Sequence, residues 1–76
     1  MLRDMIEYIA LQVVDDPDAV TVTERDRGDR TVITLRVHES DMGRVIGREG
    51  RIANAMRTMI KAAGAQSDRY AVLEIR

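Results

Sequence analysis

Val45-Ile46-Gly47-Arg48-Glu49-Gly50-Arg51-Ile52 is the stretch on which the fold turns. Two glycines three positions apart separate two segments of helical periodicity. Upstream, Ser40 stands where an N-cap belongs, ahead of a short helix from Asp41 to Val45 or Ile46, with the Asp41 carboxylate near the positive end of the helix dipole. Downstream, Ile52, Ala55, Met56, Met59, Ile60 and Ala63 recur at helical spacing. That pattern predicts a helix from Arg51 to Ala63, stopped by Gly64. One left-handed residue is enough for a helix–helix turn. The second glycine calls for a further reason, and a backbone open to close approach by an extended chain supplies one. The turn also opens onto a helix N-terminus, whose free N–H groups and dipole suit an anion. Arg44, Arg48 and Arg51 stand beside it as donors to phosphate oxygens, and Val45, Ile46 and Ile52 offer an apolar wall.

On the N-terminal side, Leu2, Met5, Ile6, Ile9, Ala10, Val13 and Val14 mark an amphipathic helix. Asp15-Asp16-Pro17-Asp18 ends it, because proline disfavours helical geometry at the residue before it. Val20-Thr21-Val22-Thr23 and Thr31 to Val37 are β-branched or alternating, and Arg27-Gly28-Asp29-Arg30 joins them as a turn, so the pair reads as an antiparallel hairpin. On the C-terminal side, Ala65 to Arg69 is a polar loop and Tyr70 to Arg76 a last strand, with Ala71, Leu73 and Ile75 on one face. The order is α-β-β-α-α-β. It predicts an α+β fold with a three-stranded mixed sheet and three helices on one face. The connection through two helices is long enough for a right-handed crossover that lays the last strand parallel to the second.

The chain has 76 residues, which is the length of a single domain spanning residues 1–76. With no cysteine there is no disulfide or thiolate metal site. No run of 18 apolar residues exists to span a membrane, and the charged start does not read as a secretory leader, so the expected location is the cytoplasm. Aromatics make up 3% of the chain, which excludes modules that read bases by stacking them on several aromatic rings. The net charge of −1 hides an asymmetry. Residues 1–43 hold ten carboxylates against five arginines, whereas residues 44–61 hold five basic residues against Glu49 alone. A basic segment on an acidic body steers anions to one face. Catalysis finds no support. The glycines lack the Gly-Lys-Ser/Thr ending of a P-loop. His38 has no second ligand, Ser40 and Ser67 have no suitably placed base, and Asp15, Asp16 and Asp18 lack the spacing of a calcium loop. No metal, cofactor or enzymatic activity is expected.

Val45 to Ile52 resembles the I-G-x-x-G core of the KH domain, and two strands before the loop with one after it match the type II, prokaryotic order. Val13 to Asp18, Met42 to Gly47, Arg57-Thr58 and Val72 to Ile75 are each similar to small free-standing bacterial KH proteins. The resemblance implies a cytoplasmic protein that binds single-stranded RNA with low sequence selectivity, as an RNA chaperone or post-transcriptional regulator. The loop would clamp the backbone of about four nucleotides. Arg44, Val45, Ile46, Gly47, Arg48, Glu49, Gly50, Arg51 and Ile52 are the implied contact residues. Glu49 departs from the pattern, since family members often carry a neutral or basic residue there. The resemblance also implies self-association and pairing with a larger KH-containing protein. The broad apolar stripe of the second helix suggests Met56, Met59, Ile60 and Ala63 for that contact. The alternative is a protein-interaction module of the same fold with little RNA affinity.

Overall fold

The computed structural model describes residues 2–76. Helix α1 (Leu2–Val13) buries Ile6 and Ala10, with Leu2, Ile9 and Val13 packed at the edge of the core. Arg3 Nε donates to the Val22 carbonyl at 2.8 Å and ties this helix to the sheet. Pro17 opens a single 3-10 turn, Pro17–Ala19, that leads into β1 (Thr21–Asp26). β1 pairs antiparallel with β2 (Arg30–Arg36), Val22 opposite Leu35 and Glu24 opposite Ile33. Gly28, at φ +86°, makes the turn between them, and its N–H donates to Asp26 Oδ1 at 2.9 Å. β3 (Tyr70–Ile75) lies parallel to β2, Ile33 opposite Leu73. The strand order is β1-β2-β3, and α2 (Met42–Ile46) and α3 (Arg51–Gln66) form the crossover between the two parallel strands. The α+β order read from the sequence is the order of the structure.

The alternation of β2 decides where the core sits. Thr31, Ile33 and Leu35 are buried towards the helices, while Arg30 and Arg36 are exposed on the opposite face. Ile33 and Leu35 have no accessible surface and share one apolar cluster with Ile6, Val45, Met56 and Ile60. Each such side chain stabilises the fold by about 1.5–3 kcal/mol through burial.

Three local expectations are corrected. Ser40 is not an N-cap. It lies inside a 3-10 turn, Glu39–Asp41, which His38 caps by accepting the Ser40 N–H at 3.1 Å on Nδ1. Gly64 does not stop the last helix, which continues to Gln66. Gly64 is a buried position where the chain returns towards β3. Its carbonyl accepts the Arg69 N–H at 2.7 Å, and a Cβ there would stand 2.7 Å from the Arg69 carbonyl oxygen. The left-handed residue that turns the chain is Asp68, at φ +58°. The buried stripe of α3 is also rotated from the expected one. Ala53, Met56, Ile60 and Gly64 are buried, while Ala55 and Met59 are exposed. A sheet beneath the helix selects a narrow stripe, and the wider apolar set overshoots it on one flank.

Asp41 is the one fully buried carboxylate among the described residues. Its Oδ1 accepts the Asp15 N–H at 3.1 Å and its Oδ2 the Asp16 N–H at 3.0 Å. Arg44 Nη1 lies 3.2 Å from Oδ1. The carboxylate thus satisfies backbone donors just beyond α1 and pins them to the start of α2. The hydrogen bond from Asp15 holds the Asp41 pKa below its usual value. Burial opposes this, and the Asp16 N–H and the Arg44 charge reinforce it. A depressed folded-state value gives stability that is present above the ordinary carboxylate pKa and is lost as pH falls through the folded one. Asp41→Asn is expected to lower the thermal midpoint at neutral pH and to flatten the loss of stability below about pH 4. Asp26, also held low by the Gly28 N–H and by Arg69, leaves some acid sensitivity in the variant. Thermal melts across that range check this. Identical curves for the two proteins would contradict the staple.

Candidate nucleic-acid interface

Helix α2 ends abruptly at Gly47, whose N–H closes the last turn on the Gly43 carbonyl at 2.9 Å. Gly47 has φ +79° and ψ 168°, a region essentially reserved for glycine. A Cβ at this position would lie 2.9 Å from both Ile52 N and Ile52 Cγ1. Glu49 (φ +55°, ψ 26°) and Gly50 (φ +75°, ψ 15°) are both left-handed, and Gly50 leads directly into α3. The first glycine is therefore required by its own backbone and by Ile52 beneath it. The second needs mainly its left-handed angle, since a Cβ there would meet only the flexible Asn54 amide at 3.4 Å. Glu49 adopts the left-handed region with a side chain, at a cost of roughly 1–2 kcal/mol.

The loop projects its middle. Arg48, Glu49 and Arg51 are exposed, and none makes an ion pair or side-chain hydrogen bond among the described residues. No side chain caps the N-terminus of α3. Two uncommitted guanidiniums therefore flank a helix start that no side chain caps, though the Gly50 and Arg51 N–H groups already donate to the Gly47 and Arg48 carbonyls, and paired guanidiniums there suit an anion. Arg44 is different. Its Nη2 lies 3.0 Å from Asp15 Oδ2 and its Nη1 3.2 Å from Asp41 Oδ1, so it takes part in the staple between α1 and α2. Arg44 thus carries a structural role beside the expected phosphate contact, with its side chain 49% exposed. Spacing alone hid this role, although an aspartate three residues before an arginine on a helix is a readable pair.

The expected apolar wall is also thinner than its sequence. Val45 has no accessible surface and belongs to the core, so it is removed from the set that could touch a base. Ile46 and Ile52 are half-buried and remain at the surface beside the loop. Ile52 and Arg51 also edge an apolar groove of about 320 Å³ between α1 and α3, with Tyr8, Ile9, Val13 and Met59. Tyr8 was not anticipated from the sequence; it is 67% exposed beside Met59. Met56 and Ile60, expected at a partner contact, are 1% exposed and cannot reach a partner through the surface. Ala63 is half-buried and turns to a different cleft, with Leu2 and Arg69.

A Gly-x-x-Gly turn between two helices, laid on a three-stranded mixed sheet in the order α-β-β-α-α-β, defines a KH domain of the type II order. Within that class the chain belongs to the KhpA/KhpB KH-domain family, whose model matches residues 3–75. It is 43% identical over 74 residues to the RNA-binding protein KhpA of Halalkalibacterium halodurans, covering 97% of each chain. It is 45% identical to RNA-binding protein KhpA of Aquifex aeolicus, over 97% of this chain and 94% of the relative. The identity to RNA-binding protein KhpA of Bacillus subtilis is 42%, over 97% of this chain and 91% of the relative.

The two glycines are expected to differ under substitution. Gly50→Ala should destabilise by about 1–2 kcal/mol, the cost of one left-handed alanine. Gly47→Ala should cost more, about 3 kcal/mol, because the torsion is worse and Ile52 is in the way. Urea unfolding of both variants measures this, and equal losses would show that the loop relaxes around Gly47.

Proposed function

We propose that the chain binds single-stranded RNA without catalysis, with the Gly47-Arg48-Glu49-Gly50 loop holding the sugar-phosphate backbone. The observation that carries this is the exposed loop with Arg48 and Arg51 unpaired at the start of α3, where no side chain caps the helix. The names of the relatives support it, since those aligned over nearly their whole length are called RNA-binding proteins. Gly47 and Gly50 leave the loop backbone bare for close approach, and Ile46 and Ile52 give the adjoining bases an apolar surface. Backbone contacts position a strand without reading its sequence, so selectivity is low. Such binding suits an RNA chaperone or post-transcriptional regulator acting in the cytoplasm. Among the described residues no helix is long and apolar enough to cross a membrane.

Arg48→Asp combined with Glu49→Asp should abolish binding of a short single-stranded RNA while leaving the circular dichroism spectrum unchanged. Arg48 and Arg51 are the two loop arginines without a protein partner among the described residues. The slope of log affinity against log salt for a strand of about four nucleotides should therefore lie near about −1.4, from roughly −0.7 per neutralised phosphate. Undiminished affinity in the variant, or a slope near zero, would remove the loop from the interface.

Association is the second part of the proposal, favoured by the apolar groove between α1 and α3. Tyr8 and Met59 are 67% and 39% exposed there, an apolar surface suited to a second copy or to a KhpB-like partner. The family model that spans both KhpA and KhpB supports that choice of partner. Met59→Glu should convert a dimer to a monomer in light scattering with the fold retained, whereas Met56→Glu should unfold the chain. A dimer that survives Met59→Glu would place the contact elsewhere. Were the chain also found not to bind RNA, a protein-interaction module would be the function that remains.

A further inference from the structure

The hairpin carries arginines and carboxylates in alternation, and the sheet sorts them by sign. In β1, Val22, Glu24 and Asp26 sit opposite the inward positions Leu35, Ile33 and Thr31. Thr23 and Arg25 sit opposite the outward positions Thr34 and Val32. The face turned away from the helices therefore collects the basic residues. Arg25, Arg27, Arg30, Arg36 and Arg76 line an open groove of about 570 Å³ across this face, against the carboxylates of Asp29 and Glu74. Glu74 is committed, with its Oε1 3.2 Å from Arg76 Nη2 and 3.4 Å from Thr34 Oγ1. Arg25, Arg27, Arg30 and Arg36 make no ion pair or side-chain hydrogen bond among the described residues.

Like charges are also set side by side. The Arg76 N–H donates to the Leu35 carbonyl and the Arg76 carbonyl accepts the Val37 N–H, at 2.8 and 3.0 Å, which brackets Arg36 and puts the two arginines abreast. Arg27 and Arg30 close the hairpin turn together, Arg27 N–H to Arg30 carbonyl at 2.7 Å. Abreast like charges destabilise a sheet. A solvated face needs charge of either sign, so the excess of five arginines over two carboxylates calls for a polyanion. Tyr70, 56% exposed, pairs in register with Arg30 at one end of this face and offers a ring on which a base can lie. Arg30 and Arg36 are six residues apart on one strand, about 20 Å at roughly 3.3 Å per residue, enough for several phosphates.

We infer that the helix-free sheet face is a second RNA-contacting surface, separate from the glycine loop, which holds the phosphodiester backbone of a further segment of single-stranded RNA. It rests on the RNA-binding reading above and extends it from the loop to the opposite side of the sheet. Short strands fill the loop alone, and longer ones also engage Arg25, Arg30 and Arg36.

The test compares single-stranded RNAs of about four and roughly twelve nucleotides by fluorescence anisotropy, the longer lying within the span that a small binding module covers. The variant is Arg25→Gln/Arg30→Gln/Arg36→Gln, with all three positions exposed. Wild type should bind the longer strand more tightly, with a salt slope steeper by about 2, from roughly 0.7 per additional phosphate. The variant should lose that excess, about tenfold or more in affinity at low salt, and bind the short strand within about twofold of wild type. Thiouridine-substituted long RNA should crosslink wild type at the Tyr70 peptide as well as at the loop. Unchanged affinity and slope for long RNA, or crosslinks confined to residues 46–52, would overturn the inference while leaving the loop site standing. A dimer that dissociates in the variant while long-RNA affinity holds would assign the face to a second copy and also overturn it. If wild type binds neither length, the RNA-binding reading itself falls, and the inference with it.

Discussion

A single buried carboxylate organises the glycine-loop end of the molecule. Asp41 accepts the backbone N–H groups of Asp15 and Asp16 and holds the Arg44 guanidinium. The segment leaving α1 is thereby fixed to the start of α2. That helix is only five residues long and could not hold its orientation alone. Val45, fully buried among the sheet and helix side chains, fixes its other end. The loop emerges one residue after Ile46, so its position follows from these two anchors. Arg44 belongs to this support through Asp15 and Asp41.

The loop then does two things with three residues of positive φ, Gly47, Glu49 and Gly50. It reverses the chain tightly enough to seat Ile52 under Gly47, and it pushes Arg48 and Glu49 out into solvent. The exposed carboxylate of Glu49 reduces the positive field of the loop, and it lies close enough to the arginines for salt to screen both together. A contact made by few charges and bare backbone is weak and unselective on its own. Additional charge on the sheet face would lengthen the footprint without changing the loop.

Much of this was legible in the sequence. Period-two and helical spacing located α1, α3 and the three strands, because each buries one face against a single sheet, while α2 was placed by its flanking residues and the parallel closing strand by the length of the crossover. The Gly-x-x-Gly turn was legible because so few residues tolerate its torsions. Other features depended on contacts between distant segments. Asp41 reads as an ordinary first-turn aspartate until Asp15 and Asp16 arrive beside it. Gly64 reads as a helix stop until the Arg69 carbonyl packs onto it. Val45, Met56 and Ile60 belong to apolar stripes that also border the surface, and only the packed sheet shows that they are core. Charge was misread for a different reason. Counting along the chain gave an acidic N-terminal half, but β-strand alternation divides Glu24 and Asp26 from Arg25 and Arg27 onto opposite faces.

The central claim is that the glycine loop meets the RNA backbone, and amide chemical shifts during titration of the full chain with a strand of about four nucleotides test it most directly. The account predicts shifts concentrated at Gly47 to Ile52, on the N–H groups of the loop and the first turn of α3, with the Asp15 and Asp16 amides at the Asp41 staple unmoved. Shifts confined to other elements, with the loop amides unchanged at saturation, would contradict it.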